Sequence, residues 1–128
     1  MEQYNPEQAP EPQIWLELDE QERIDLIREY HDENDDGTLS EDDARSMHNV
    51  LHGIVETQLA ENVEPVPATL AKLQRQGLKR HEAVHAVGAV LIEGLYKVMQ
   101  GQETEFHPRQ YRRRLDKLTA KRWRKGQY

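Results

Sequence analysis

Four of the six histidines in this chain of 128 residues occur as two pairs with the same spacing. His48 and His52 form one pair, and His81 and His85 form the other. Residues four positions apart on an α-helix lie on one face, about 6 Å apart along its axis, so both imidazoles of a pair can point at one place. Glu56 follows His52 by four more residues and falls on a similar face. Imidazole with carboxylate suits transition metals better than magnesium or calcium. The spacing therefore predicts a metal site formed by the four histidines, with zinc, iron or nickel as the ion. Glu56 is predicted either as an additional ligand or as a side chain that orients a histidine.

Two other interpretations of the histidines remain open. Histidine is common on helix surfaces, so the pairs could instead be exposed or structural side chains that bind no metal. If a metal is bound, Glu93, eight residues beyond His85, could serve as a further ligand or accept a hydrogen bond from one. The spacing does not distinguish a structural ion, closed by four protein ligands, from a catalytic ion with an open position.

The second pair also matches a short catalytic motif. Residues 81–85 read HExxH, in which two histidines bind zinc and the glutamate, here Glu82, activates water. A peptidase of that class also needs a third ligand from further along the chain, and usually a sheet edge to hold its substrate. No segment of this sequence predicts a strand. A metal-dependent hydrolase with Glu82 as its base is therefore an alternative to simple metal binding.

An acidic segment between the first two predicted helices resembles a calcium-binding loop. In residues 32–43, Asp32, Asn34 and Asp36 take the first, third and fifth positions of an EF-hand loop, and Gly37 takes the sixth. Position twelve is Asp43, where the pattern has a glutamate that binds calcium with both oxygens. Calcium at this loop is thus a weaker expectation than the transition metal. The alternative is a solvated acidic loop that caps the following helix.

The elements that must position these residues are helices. Apolar residues at three- and four-residue spacings predict five helices, and their ranges are 19–30, 40–61, 67–76, 79–100 and 108–123. Asp19 and Ser40 are predicted N-caps, and Gly77 is a predicted left-handed residue at a helix end. The expected fold is all-α, an irregular bundle of four to five helices. Residues 1–13 are rich in proline and charge and are expected to form a disordered tail, which leaves 14–128 as a single helical domain.

Composition and charge restrict the function further. The absence of cysteine excludes disulfides and thiolate metal sites. Residues 1–64 carry a formal charge of −16, and residues 109–125 carry +8. This asymmetry favours attraction between the two parts, within one molecule or across a homodimer. Nucleic-acid binding through 109–125 is a weaker interpretation, because the net charge of −7 opposes phosphate binding elsewhere. A metal-free adaptor that binds a partner through these charged faces is the alternative function.

No stretch predicts a membrane span or a secretory signal, so a cytoplasmic location is expected.

The arrangement of these motifs resembles a family of small, uncharacterised bacterial helical proteins, a domain of unknown function with paired HxxxH motifs. The resemblance extends from Trp15 to Trp123, and its most specific part is the second histidine pair with the preceding Gly77 and Arg80. It implies a helical bacterial protein that shares the paired histidines. It implies no activity, and the acidic loop is not part of it.

Overall fold

Seven α-helices, and no strand, make up the described part of the chain, which a computed structural model gives for residues 1–34, 42–101, 105 and 107–128. The prediction of an all-α protein is confirmed, and the expected four to five helices become seven. They are α1 (Pro12–Glu17), α2 (Glu20–Glu33), α3 (Asp42–Ala60), α4 (Val66–Arg75), α5 (Arg80–Met99), α6 (Pro108–Lys117) and α7 (Ala120–Arg124).

Local capping explains where two of these helices begin or end. The Asp19 side chain accepts a hydrogen bond from the Glu22 backbone N–H at 2.8 Å, and the Glu22 side chain accepts one from the Asp19 N–H at 3.2 Å. This reciprocal capping box satisfies two N–H groups that have no partner within α2. Gly77 follows α4 with φ of 103°, a backbone conformation that glycine adopts without steric cost. Both sequence predictions are confirmed, whereas the predicted cap at Ser40 lies outside the described residues.

The predicted C-terminal helix over 108–123 is two helices. Leu118 has extended backbone angles and ends α6, and the Thr119 side chain then accepts a hydrogen bond from the Arg122 N–H, which starts α7. Leu115 and Leu118 are both almost fully buried. Leu118 therefore still joins the core together with Leu115, although α6 ends at Lys117.

The core lies where α3, α4 and α5 meet, and α6 covers one side of it. Gly88 on α5 faces α3, and a side chain there would lie 3.8 Å from Leu51 Cβ and 3.9 Å from Val55 Cγ2. The missing side chain lets the two helices approach closely. Helix α2 also packs against α3. Three helices are thus held together on the side of the bundle where the paired histidines lie.

The N-terminal segment packs against the bundle. Tyr4 is only 3% exposed, and its ring lies 5.8 Å from the ring of Trp15, which is fully buried. Pro6 is also buried. The prediction that residues 1–13 form a disordered tail is therefore corrected at Tyr4 and Pro6, and helix α1 already begins at Pro12. Average composition misses such a segment because it does not show which individual side chains, here Tyr4 and Pro6, are buried. No helix in the described ranges is long and apolar enough to cross a membrane.

Candidate metal centre

Five histidines from three helices converge on one point. His48 and His52 come from α3, His81 and His85 from α5, and His31 from the last turn of α2. Each can offer one ring nitrogen such that these five atoms all lie within 4.8 Å of one another. The structure therefore brings together all four histidines that the sequence predicted, and it adds a fifth.

Sequence reasoning missed His31 because this residue has no partner at four-residue spacing. The predicted first helix ends at residue 30, one position before His31, whereas α2 continues to Glu33. One signal was present: His31 follows Ile27 by four residues, and Ile27 is fully buried on the inner face of α2. Extending that face by one turn points His31 toward α3.

Hydrogen bonds fix the ring orientation of two of these histidines. The Tyr4 hydroxyl donates to Glu56 Oε2, so its oxygen is left to accept from His52 Nδ1, 3.1 Å away. Asn49 Oδ1 accepts from His31 Nδ1 at 2.9 Å. Because Nδ1 carries the proton in both rings, Nε2 of each presents a lone pair. Histidines that bind metals are held in this way by an acceptor on the other ring nitrogen.

Three buried nitrogens at the centre of the cluster lack a partner among the described residues. They are the Nε2 atoms of His52, His81 and His85. A buried polar atom without a hydrogen bond costs about 1–3 kcal/mol, so such atoms are uncommon in folded proteins. The Nε2 atoms of His48 and His31 lie 3.2 Å apart, close to the ~3 Å that separates adjacent nitrogens bound at right angles to one ion. A metal ion would give all five rings a common partner.

Burial keeps the five imidazoles neutral. Loss of hydration, together with the smaller effect of the neighbouring histidines, lowers the pKa of His48 to about 4 and that of His85 to about 3. Desolvation is also the main cause of the lowered pKa values of His31, His52 and His81. Neutral imidazole is the form that binds a metal, so no proton has to be displaced at neutral pH before the cluster can bind an ion.

Glu56 is not one of the converging side chains, so of its two predicted roles its contacts favour the orientation of a histidine over direct binding. It is 1% exposed, and its two oxygens accept hydrogen bonds from the Arg80 guanidinium at 2.8 and 2.7 Å. The Tyr4 hydroxyl donates to the same carboxylate. Arg80 also donates to the Pro6 carbonyl at 2.8 Å and so ties the N-terminal segment to α5. Glu56 acts on the cluster through Tyr4, which positions His52.

No protein-family model, curated protein or solved structure matches this chain. The resemblance to a bacterial family with paired histidines therefore stays a prediction, as does the assignment of residues 14–128 to a single domain.

Two other glutamates near the histidines in the sequence, Glu82 and Glu93, have partners outside the histidine cluster. Glu82, the base of the HExxH interpretation, is exposed and accepts a hydrogen bond from Trp123 Nε1 at 3.1 Å. Glu93 forms an ion pair with Arg114 on α6. Neither carboxylate belongs to the cluster of converging nitrogens. The geometry therefore does not favour the hydrolase, and Glu93, which the sequence left open as a ligand or as a hydrogen-bond acceptor for one, is paired with Arg114 instead.

The predicted calcium loop lies mostly outside the described residues, which resume at Asp42. Calcium binding at residues 32–43 therefore stays a prediction.

The basic C-terminal segment contacts two other helices. Arg114 pairs with Glu93 of α5, and Lys72 of α4 donates to the backbone carbonyl of Asp116 at 3.2 Å. These contacts hold α6 against α4 and α5.

Proposed function

We propose that this protein binds one divalent transition-metal ion through His31, His48, His52, His81 and His85. The observation that carries the proposal is the convergence of five imidazoles, three of them with buried Nε2 atoms that have no hydrogen-bond partner among the described residues. A packed core normally excludes such a group of polar rings, because each ring loses its hydration without replacing it. The ion would provide the missing interaction for all of them.

The dimensions and chemistry of the cluster suit a single first-row ion. Nitrogen ligands lie about 2.0–2.1 Å from zinc, so two ligands on opposite sides of one ion are about 4.2 Å apart. The largest separation within the cluster is 4.8 Å, and a contraction of a few tenths of an ångström on each side closes the shell. Zinc, iron and nickel all bind imidazole ligands, and we expect the ion to be one of these three.

Metal content and thermal stability test this function directly. Protein purified without added metal is expected to contain about one equivalent of zinc, iron or nickel by elemental analysis. Removing the ion with a chelator should lower the melting temperature, since an ion at 100 times its Kd stabilises the native state by about 2.7 kcal/mol. Metal-free protein whose melting temperature does not respond to zinc, nickel or ferrous iron would overturn the proposal. In a control, His107→Ala should leave the metal content and the response of the melting temperature unchanged, because His107 lies outside the five converging histidines.

Tyr4→Phe tests whether the N-terminal segment contributes to this site. The variant removes the oxygen that accepts from His52 Nδ1, so the His52 ring loses its fixed orientation. We expect the affinity for zinc to fall on the order of tenfold, since outer partners of ligating histidines contribute 10–100-fold. Competition with a chromophoric chelator measures the change. Tyr96→Phe is the matched control because Tyr96 is 57% exposed. Equal zinc affinities for the two variants would show that Tyr4 does not position His52.

A further inference from the structure

The nitrogens at the centre of the histidine cluster are closed off from solvent. The Nε2 atoms of His52, His81 and His85 have essentially no accessible surface. An ion can therefore reach these atoms, or leave them, only when a part of the protein that covers them moves. Local opening of a folded protein starts in segments with few buried contacts. A segment of that kind that touches these histidines is the natural place for the ion to pass.

Residues 4–7, which we call the strap, touch two of these three histidines. The Tyr4 hydroxyl oxygen accepts a hydrogen bond from His52 Nδ1 at 3.1 Å. The Glu7 carboxylate accepts one from the backbone N–H of His81 at 2.8 Å. The strap thus reaches from α3 to α5, the two helices that carry four of the five converging histidines.

Glu7 supplies a cap that α5 lacks locally. The first four N–H groups of a helix have no partner within it, and Lys79, the N-cap residue of α5, forms no side-chain hydrogen bond to them. Glu7 satisfies one of these groups, that of His81, from outside the helix. Arg80 in the same turn donates to the Pro6 carbonyl at 2.8 Å. The strap therefore holds the first turn of α5, which carries His81.

The strap can move while the helices stay in place. Two of its four residues, Tyr4 and Pro6, are buried, and the two residues that follow the strap are exposed. Helix α1 comes next and has an attachment of its own, because Trp15 Nε1 donates to Thr57 Oγ1 at 3.2 Å. Detachment of the strap can therefore stop at α1.

We propose that the strap is a gate for the metal ion, which opens to let the ion enter or leave the histidine cluster and closes over the occupied site. Opening removes the acceptor of His52 Nδ1 and the cap of the turn that carries His81, so both rings become free to turn toward solvent. This inference rests on the proposed function, because it concerns exchange of the ion that the five histidines hold. It assigns the N-terminal segment a role in regulating that exchange.

The kinetics of zinc exchange test the gate, with Glu7→Ala as the variant. Glu7 is exposed, so its replacement leaves the core intact. Zinc uptake by the metal-free protein and zinc loss to an excess of chelator are each followed by stopped-flow absorbance, with a chromophoric chelator as the indicator. The variant is expected to speed both processes by about fivefold, the factor that corresponds to the loss of one capping hydrogen bond.

Glu11→Ala is the matched control. Glu11 is also exposed, and its carboxylate also accepts a hydrogen bond from a backbone N–H at 2.8 Å, that of Ile14. It caps α1, which carries no histidine, so this variant removes the same charge and should leave both rates unchanged. Loss of charge cannot itself explain faster uptake, because removing a carboxylate near the path of a cation slows the approach of that cation.

The possible failures can be told apart. Absence of zinc binding by the unaltered protein would refute the proposed function itself. Zinc binding whose two rates do not respond to Glu7→Ala would overturn the gate and leave the metal site standing. Faster loss with unchanged uptake would also overturn it, since Glu7 would then only stabilise the bound ion. Equal acceleration by Glu7→Ala and Glu11→Ala would do the same, because the effect would not depend on the contact with α5.

Discussion

Glu56→Ala is expected to lower the free energy of unfolding by about 3–5 kcal/mol, because it leaves a buried cation without its partner. Arg80 is 7% exposed and Glu56 is 1% exposed, and the guanidinium holds both carboxylate oxygens. The variant also removes the acceptor for the Tyr4 hydroxyl. Urea denaturation of the metal-free protein, with wild type alongside, measures the loss.

The ion pair between Glu93 and Arg114 supplies the control. Its side chains are 43% and 31% exposed, so water already solvates both charges. Glu93→Ala should cost no more than about 1 kcal/mol. Replacing Arg80 with methionine in addition to Glu56→Ala should recover part of the loss, since no buried charge then remains unpaired. Similar losses for Glu56→Ala and Glu93→Ala would contradict the buried network.

His52→Ala and His85→Ala are each expected to weaken zinc binding by about 100-fold or more, since even the outer partners of ligating histidines contribute 10–100-fold. The two histidines come from different helices and their ring centroids lie 4.8 Å apart. The double variant should lose little more than the worse single variant, because ligands of one ion are strongly coupled. Zinc dissociation constants from chelator competition measure all three effects.

His31→Ala extends the same experiment to the ligand that sequence reasoning missed. If His31 shares the ion, this variant should weaken zinc binding and show coupling to His85→Ala. Purely additive free-energy changes among the His31, His52 and His85 variants would indicate separate sites and contradict a single shared ion. His107→Ala should change none of these constants.

The sequence was sufficient to predict the helices and four of the five converging histidines, because both depend on short-range periodicity. The four-residue spacing of His81 and His85 fixes their common face whatever surrounds the helix. Glu56 shows the limit of this reasoning. The same spacing placed it near His52, but its true partners are Arg80, 24 residues away, and Tyr4, 52 residues away. Local pattern carries no information about which distant cation or hydroxyl a buried carboxylate meets.

The same limit explains the N-terminal segment and His31. Tyr4 lies in a segment of prolines and charges, and only the folded arrangement of Trp15 and Tyr30 creates the space that its ring fills. His31 joins the cluster because α2 packs against α3. The residues next to His31 in the sequence do not specify this packing.

The contacts of Tyr4 and Pro6 impose an order of events during synthesis. A ribosome makes these residues well before Glu56 and Arg80, which lie 52 and 74 residues further along from their respective partners. The contact between Pro6 and Arg80 must therefore wait until the start of α5 has left the ribosome, and His81 and His85 emerge at the same stage. Completion of the metal centre and attachment of the N-terminal segment to α5 are thus late, nearly simultaneous steps. A nascent chain that stalls before α5 emerges would expose the apolar side chains of α1 to α3 with neither step available to cover them.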